Sequence, residues 1–263
     1  MNNVDGCMME EKLNVPLPIQ NEQSVIWRFM DFTKFVSVLD KGSLFLCRAD
    51  KLDDSFEGSS TELDFKFWKS NYLMGKIREG KMGNAMMQQN WQEISDGFAT
   101  LKKLVNINSW YMKEYESAAM WNLYAQTKEA VAIKSSCKRL RKSLPDCDQL
   151  LIGQVKYIDY RKERMEEKCI TDRFFYKRKS YEHEEEIRII LLKNLNGELP
   201  STIQAVETEG GVYVETQIDT LIEKVYVAPN SPDWFRELVK RILKLYGFHK
   251  EVIRTSLDDK ALY

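Results

Sequence analysis

At 263 residues, 43% hydrophobic and 30% charged, the chain has the make-up of an ordinary folded protein rather than a disordered or fibrous one. A formal net charge of -1 gives no indication of a nucleic-acid partner. No apolar stretch approaches the roughly 18–20 residues of a membrane span, and the start lacks a basic-then-apolar leader pattern, so a cytoplasmic protein is expected. Cys7, Cys47, Cys137, Cys147 and Cys169 form no CxxC and no cluster with histidine, which points to reduced thiols and no metal.

In chain order, residues 1–23 are polar, carry Pro16 and Pro18, and read as a tail or extended arm. A single α+β domain is expected over 24–263. Val25–Phe29 predicts a short strand, and Asp31 or Thr33 caps a helix through Phe35, Val36, Val38 and Leu39 that stops at Gly42. The strand Ser43–Cys47 leads into an acidic loop holding Asp53, Asp54 and Glu57. From about 60 to 104 the pattern is helical, broken near Gly80 and Gly83, and reads as an insertion rich in aromatics (Phe65, Phe67, Trp68, Tyr72, Trp91, Phe98). Those rings are expected to pack against the sheet, with a lid or protein-partner surface as the alternative.

Strand character returns over Leu104–Trp110, followed by a helix over Glu114–Ala125, a strand over Ala130–Lys134 and a basic helix over Ser136–Lys142. Ile152–Tyr160 predicts one strand and Arg161–Tyr176 a helix. Ile187–Leu192 is a β-branched apolar run that predicts a buried strand, with Glu184, Glu185 and Glu186 at its entrance. Glu184 and Glu186, two apart, would share one face of that strand. Short strands near 203–206, 211–216 and 225–227, a helix over 233–246 and a strand over 252–254 complete the chain. The irregular order of elements predicts an α+β fold with a mixed, mostly antiparallel central sheet, surrounding helices and the helical insertion.

No GxGxxG, P-loop, GxSxG or HExxH motif is present. The glutamates at the strand entrance are therefore the leading catalytic candidates, and His183 beside them reads as a solvated side chain. Asp53, Asp54 and Glu57 suit a hard cation, but a turn stabilised by Asp side chains is the simpler reading. Lys177, Arg178 and Lys179 suit phosphate or a solvated helix end, and Lys179 and Arg188 also suit pairing with the glutamates. Trp110, Tyr111, Met120, Trp121 and Tyr124 suit core packing or stacking on a flat ligand ring. Ser109, at a strand end, is well placed to meet a ligand.

The blocks Trp27–Phe32, Gly42–Phe45, Arg48–Gly58, Ser109–Met112 with Glu116–Trp121 and Tyr124, and Tyr181–Arg188 resemble a widespread, mainly prokaryotic family of unknown function over roughly residues 25 to 255. Ser55 stands where family members commonly carry proline. More distantly, a strand bearing Arg, a Gly-Ser-Leu strand, a later strand ending in Ser and a late Glu-x-Glu resemble ADP-ribosyltransferase folds, although a Ser-Thr-Ser motif is not evident. That resemblance implies NAD as substrate, with Arg28 on its phosphates or ribose and Ser109 and Tyr124 near the nicotinamide. It implies Glu186 on the nicotinamide ribose, beside the positive charge of the transition state, and Glu184 on the acceptor. The expected activity is ADP-ribosyl transfer or NAD glycohydrolysis, in a toxin or defence effector. The alternatives are a non-enzymatic protein-binding module with structural glutamate ion pairs, and a metal-dependent nuclease or phosphoesterase. Under the leading reading Glu186→Gln would abolish activity and leave the melting temperature nearly unchanged.

Overall fold

A ten-stranded sheet runs through the protein in the order β12-β11-β4-β1-β3-β2-β10-β9, with β8 on β3 and β5 on β8. The structure, a computed structural model, describes residues 15–78, 96–124 and 127–262. Its strands are β1 (Val25–Asp31), β2 (Ser43–Arg48), β3 (Val105–Met112), β4 (Ala130–Ser136), β5 (Leu150–Gln154), β8 (Glu186–Leu192), β9 (Ala205–Thr208), β10 (Gly211–Glu215), β11 (Lys224–Val227) and β12 (Glu251–Arg254). All pairings in this sheet are antiparallel except β11 with β12, and β6 (Lys156–Ile158) and β7 (Tyr176–Arg178) form a separate parallel pair. The helices are α1 (Phe32–Lys41), α2 (Glu62–Arg78), α3 (described over 96–104), α4 (Ala118–Tyr124), α5 (Cys137–Ser143), α6 (Ile218–Leu221) and α7 (Asp233–Leu245). This is the expected α+β class. No helix among the described residues is long and apolar enough to cross a membrane.

Alternation along β1 fills both faces of the sheet. Ile26 and Met30 enter the main core with Phe35 and Leu39 of α1 and Phe235, Val239 and Leu243 of α7. Trp27 and Phe29 enter a second core with Met120 and Trp121 of α4. β8 is buried along its whole length, as its continuous apolar run requires of a strand covered on both faces. Asp31 caps α1 by accepting from the Lys34 N–H at 2.7 Å, and Gly42 closes it at φ 56°.

Two expected elements form differently. The helix expected over 161–176 is replaced by irregular chain and a 3-10 turn at Ile170–Phe175. Side chains take its backbone donors: Asp159 accepts from the Arg161 N–H at 2.9 Å and Asp64 from the Met165 N–H at 2.9 Å. The strand expected over 152–160 breaks at Val155 into β5 and β6, which belong to different sheets. Of the insertion, α2 and α3 are seen, with Trp68 stacked on Phe98 at 5.7 Å and the buried Arg173 over the Phe98 ring at 4.4 Å. Phe65 and Phe67 are exposed rather than in the core, with the Arg164 guanidinium 4.0 Å over the Phe67 ring. Gly80, Gly83 and Trp91 lie outside the described residues, and so does the arm before residue 15.

The middle of the sheet has a seam. β3 pairs with β8 from Val105 to Tyr111, but its other edge is shared. β2 takes one end, at Asn106 and Ile107, and β1 takes the other, at Tyr111 and Met112. Between them β1 leaves β3 after Trp27. Side chains bridge the opening: Arg28 donates to the Ser109 carbonyl, and Asn108 Nδ2 donates to the Phe45 carbonyl at 2.8 Å.

Candidate active site

The seam opens into a cleft lined by Trp27, Arg28, Phe29, Ser109, Trp110, Tyr111, Met120, Tyr124, Glu184 and Glu186. Five residues singled out in the sequence, Arg28, Ser109, Tyr124, Glu184 and Glu186, thus share one wall-to-wall space. Each arrives on a different footing. Arg28 sits where β1 departs from β3, Ser109 lies in the unshared stretch of β3, Tyr124 ends α4, and the glutamates stand at the mouth of β8. Glu116 fixes α4 by accepting from the Trp121 indole N–H at 2.9 Å and from the Thr255 hydroxyl at 2.6 Å.

The two glutamates do not converge by strand alternation. Glu184 ends the 3-10 helix Lys179–Glu184, and β8 begins only at Glu186. Between them Glu185 takes the left-handed conformation, φ 37° and ψ 56°, which a residue with a Cβ adopts at a cost. Its carbonyl accepts from the Met112 N–H at 2.9 Å, and its carboxylate pairs with Lys113 at 2.6 Å. This kink, rather than a shared strand face, brings both flanking carboxylates to Lys177.

Cations surround the pair. Lys177 Nζ lies 2.6 Å from Glu184 Oε2 and 2.7 Å from Glu186 Oε1. Arg188 Nε donates to Glu186 Oε2 at 2.9 Å, while its other two nitrogens grip Glu57 at 2.5 and 3.0 Å. The Glu186 N–H also donates to the Tyr157 hydroxyl at 2.9 Å. Burial opposes ionisation of Glu186, but Arg188 and then Lys177 outweigh it and hold its carboxyl well below the ordinary glutamate range. Burial, reinforced by the neighbouring Glu186, pushes Glu184 up to about 7. Burial disfavours the Lys177 ammonium, yet Glu186 and Glu184 together outweigh it and the lysine stays above its usual value.

Arg28, half-buried in the cleft, differs from the buried cations. Among the described residues no carboxylate lies within ion-pair distance of it, and burial lowers its pKa. Among the described residues its guanidinium makes one hydrogen bond, to the Ser109 carbonyl, which leaves donors for an anion.

The remaining candidates fall elsewhere. Arg188 is enclosed by Glu57, Glu186 and the Phe174 carbonyl, so it orients a carboxylate and does not face a ligand. Lys179 points away from the cleft and pairs with Glu163 at 3.4 Å. Trp110 borders the cleft, but its ring is 1% exposed in the main core and its N–H is spent on Asn108 at 2.8 Å, so it offers no stacking face. His183 is solvent-exposed. The acidic loop does approach the glutamates, as the cation reading required, but the group between Glu57 and Glu186 is the Arg188 guanidinium. Asp54 is likewise taken, accepting from the Phe56 N–H at 3.0 Å and from Arg178 at 2.8 Å. The sequence singled out Glu57 for a cation or a turn and Lys177 for phosphate or a solvated helix end, whereas here they pair with Arg188 and with the glutamates, and Tyr157 was missed altogether. The signal for the pairing itself was compositional: a buried strand that opens with Glu-x-Arg needs counter-charges from elsewhere.

Residues 120–189 match the model of a family described as a protein of unknown function (DUF2971). That segment contains Tyr124, Lys177, Glu184, Glu186 and Arg188, while Arg28, Glu57 and Ser109 lie outside it. No protein of curated function matches the chain. Among solved structures, Thermus sp. 2.9 DarT in complex with NAD+ is similar over 92% of this chain and 100% of that one, with 9% identity and a TM-score of 0.41. Thermus sp. 2.9 DarT in complex with carba-NAD+ is similar over 90% and 98%, with 12% identity and a TM-score of 0.37. At these scores the likeness says nothing about chemistry.

Proposed function

We propose that the protein binds NAD or a closely related nucleotide in this cleft and breaks its nicotinamide–ribose bond, passing the ADP-ribosyl group to an acceptor or to water. One observation carries this reading: Arg28, Ser109, Tyr124, Glu184 and Glu186 meet in a single cleft. Arg28 supplies an unpaired guanidinium for a phosphate. Glu186 supplies a carboxylate that stays ionised; its Oε1 accepts from Lys177 and Arg188, while Oε2, which accepts from Arg188 Nε, retains a lone pair for a ribose hydroxyl.

As the C1′–N bond breaks, its electron pair leaves with nicotinamide and positive charge grows on the ribose. A fixed carboxylate at that point lowers the barrier electrostatically. The acceptor's O–H or N–H then bonds to C1′ and its proton passes to Glu184, whose poise near 7 suits proton uptake at neutral pH. The free space in the cleft is about 20 Å³, room for about one water molecule, so the walls part when a nucleotide enters. A toxin or defence role is the setting this activity would serve.

One observation favours the reading of a non-enzymatic module: Glu186 is bonded to cations on both oxygens, as in a structural ion pair. The test is thermal unfolding with and without millimolar NAD, followed by assay of free nicotinamide in the same samples. Ligand bound only by the native state must raise the transition. A rise and nicotinamide release, both lost in Arg28→Ala, are expected; no shift and no product would leave the binding module as the better account.

A further inference from the structure

Glu184 and Glu186 carry the same charge and meet in a sheltered cleft, so something must hold them there. Arg188 on β8 grips Glu186 and Glu57 but makes no bond to Glu184. Tyr157 on β6 meets the Glu186 backbone, and Arg28 on β1 and Tyr124 on α4 face the pair across the cleft. Among the described residues only Lys177 bonds to both carboxylates. It reaches them from outside the main sheet, on β7, with its ammonium 4.6 Å from the centre of the Tyr181 ring. One ammonium between two carboxylates leaves a charge uncompensated. Because Arg188 already fixes Glu186 as an anion, Glu184 is the partner free to take up a proton.

We propose that Lys177 is the positioning residue of this cleft: its ammonium holds Glu184 against Glu186 and governs when Glu184 carries a proton. The catalytic meaning of this role rests on the reading of the cleft given above; the placement of the proton does not.

The test therefore begins without nucleotide. The Glu184 carboxyl is titrated by NMR in protein labelled with ¹³C-glutamate, its signal assigned by its loss in Glu184→Gln. In Lys177→Met the midpoint is expected to rise by about 1–3 units, the usual effect of removing an adjacent opposite charge. Lys177→Arg, which keeps the charge, should restore most of the shift. In the wild type the Lys177 Nζ resonance should step at the same pH as Glu184, a measurement that survives even if Lys177→Met does not fold. A Glu184 midpoint indifferent to Lys177→Met, or a Lys177 resonance without the step, overturns the proposal. With NAD, the acid limb of kcat/KM for nicotinamide release should move in Lys177→Met by the same interval, while KM changes little. A chain that releases no nicotinamide but whose Glu184 midpoint follows Lys177 upholds the positioning and sinks the enzymatic reading. Nicotinamide release with an unmoved midpoint does the reverse.

Discussion

At the scale of single residues, the consequence of the cation cage is that Glu186 serves stability as well as the chemistry proposed for it. From the sequence, Glu186→Gln should silence the protein without unsettling it. The structure changes half of that expectation. Glu186 is buried between Arg188 and Lys177, so neutralising it leaves two cations with one partner fewer. A loss of roughly 2–4 kcal/mol is expected, measurable by urea unfolding, because breaking one side of a buried pair strands the other. Arg188 still has Glu57, which keeps the cost below that of a fully orphaned charge. The two glutamates should also pull stability in opposite directions with pH. Glu184, raised to about 7 from an ordinary 4.5, contributes stability that is complete below about pH 4.5 and fades as pH climbs toward 7. Glu186, held low, contributes stability present above pH 4.5 and lost in more acid solution. Glu184→Gln should therefore flatten the decline between pH 5 and 7 in melting curves, and leave the acid decline in place. An unchanged slope between pH 5 and 7 would show that Glu184 is not the group titrating there.

At the scale of elements, the acidic loop shows how a site residue was misread. Asp53, Asp54 and Glu57 looked like a turn because side-chain oxygens two or three residues from backbone amides usually make one, and Asp54 does so with Phe56. Glu57 is different, since Gly58 passes beneath the Phe174 ring at φ +65° and turns the preceding carboxylate inward to Arg188. A Cβ on Gly58 would run into that ring as well as strain the backbone. Gly42, at φ +56°, has open space around it. Gly42→Ala should cost about 1 kcal/mol, the backbone price alone. Gly58→Ala should cost clearly more, about 2–4 kcal/mol, since strain and a clash combine. Equal costs, compared by thermal unfolding, would mean that the loop yields without disturbing Phe174. Strands β1, β2 and β8 and helices α1 and α7 were legible because alternation, caps and apolar periodicity act within a few residues. Residues 161–176 were not, because Asp64, about a hundred positions away, takes a backbone amide that a helix would need. The left-handed Glu185 gave no warning either, since nothing in three successive glutamates marks the middle one as the kink.

At the scale of the whole molecule, the sequence conveyed the class of fold and the identity of several cleft residues but not why they meet. Arg28, Ser109 and Glu186 belong to strands β1, β3 and β8, which periodicity alone cannot order across a sheet. The position of β3 between β1 and β8 is what puts them together, and the edge of β3 that meets β1 is divided between β1 and β2. In its backbone pairing the sheet divides into two plates joined at one corner. One plate is β12-β11-β4-β1 and the other is built on β3 and β8, and between β1 and β3 only Ile26 with Met112 and Trp27 with Tyr111 are in register. Rocking the plates apart would disturb few backbone bonds, far fewer than unzipping any full strand. Amide hydrogen exchange should therefore separate into two slow groups, within β1–β4 and within β3–β8, with faster exchange at the corner between them. If the cleft takes a nucleotide as proposed, one wedged across this corner should slow exchange there and leave the interior of each plate unchanged, so its route of entry can be read amide by amide.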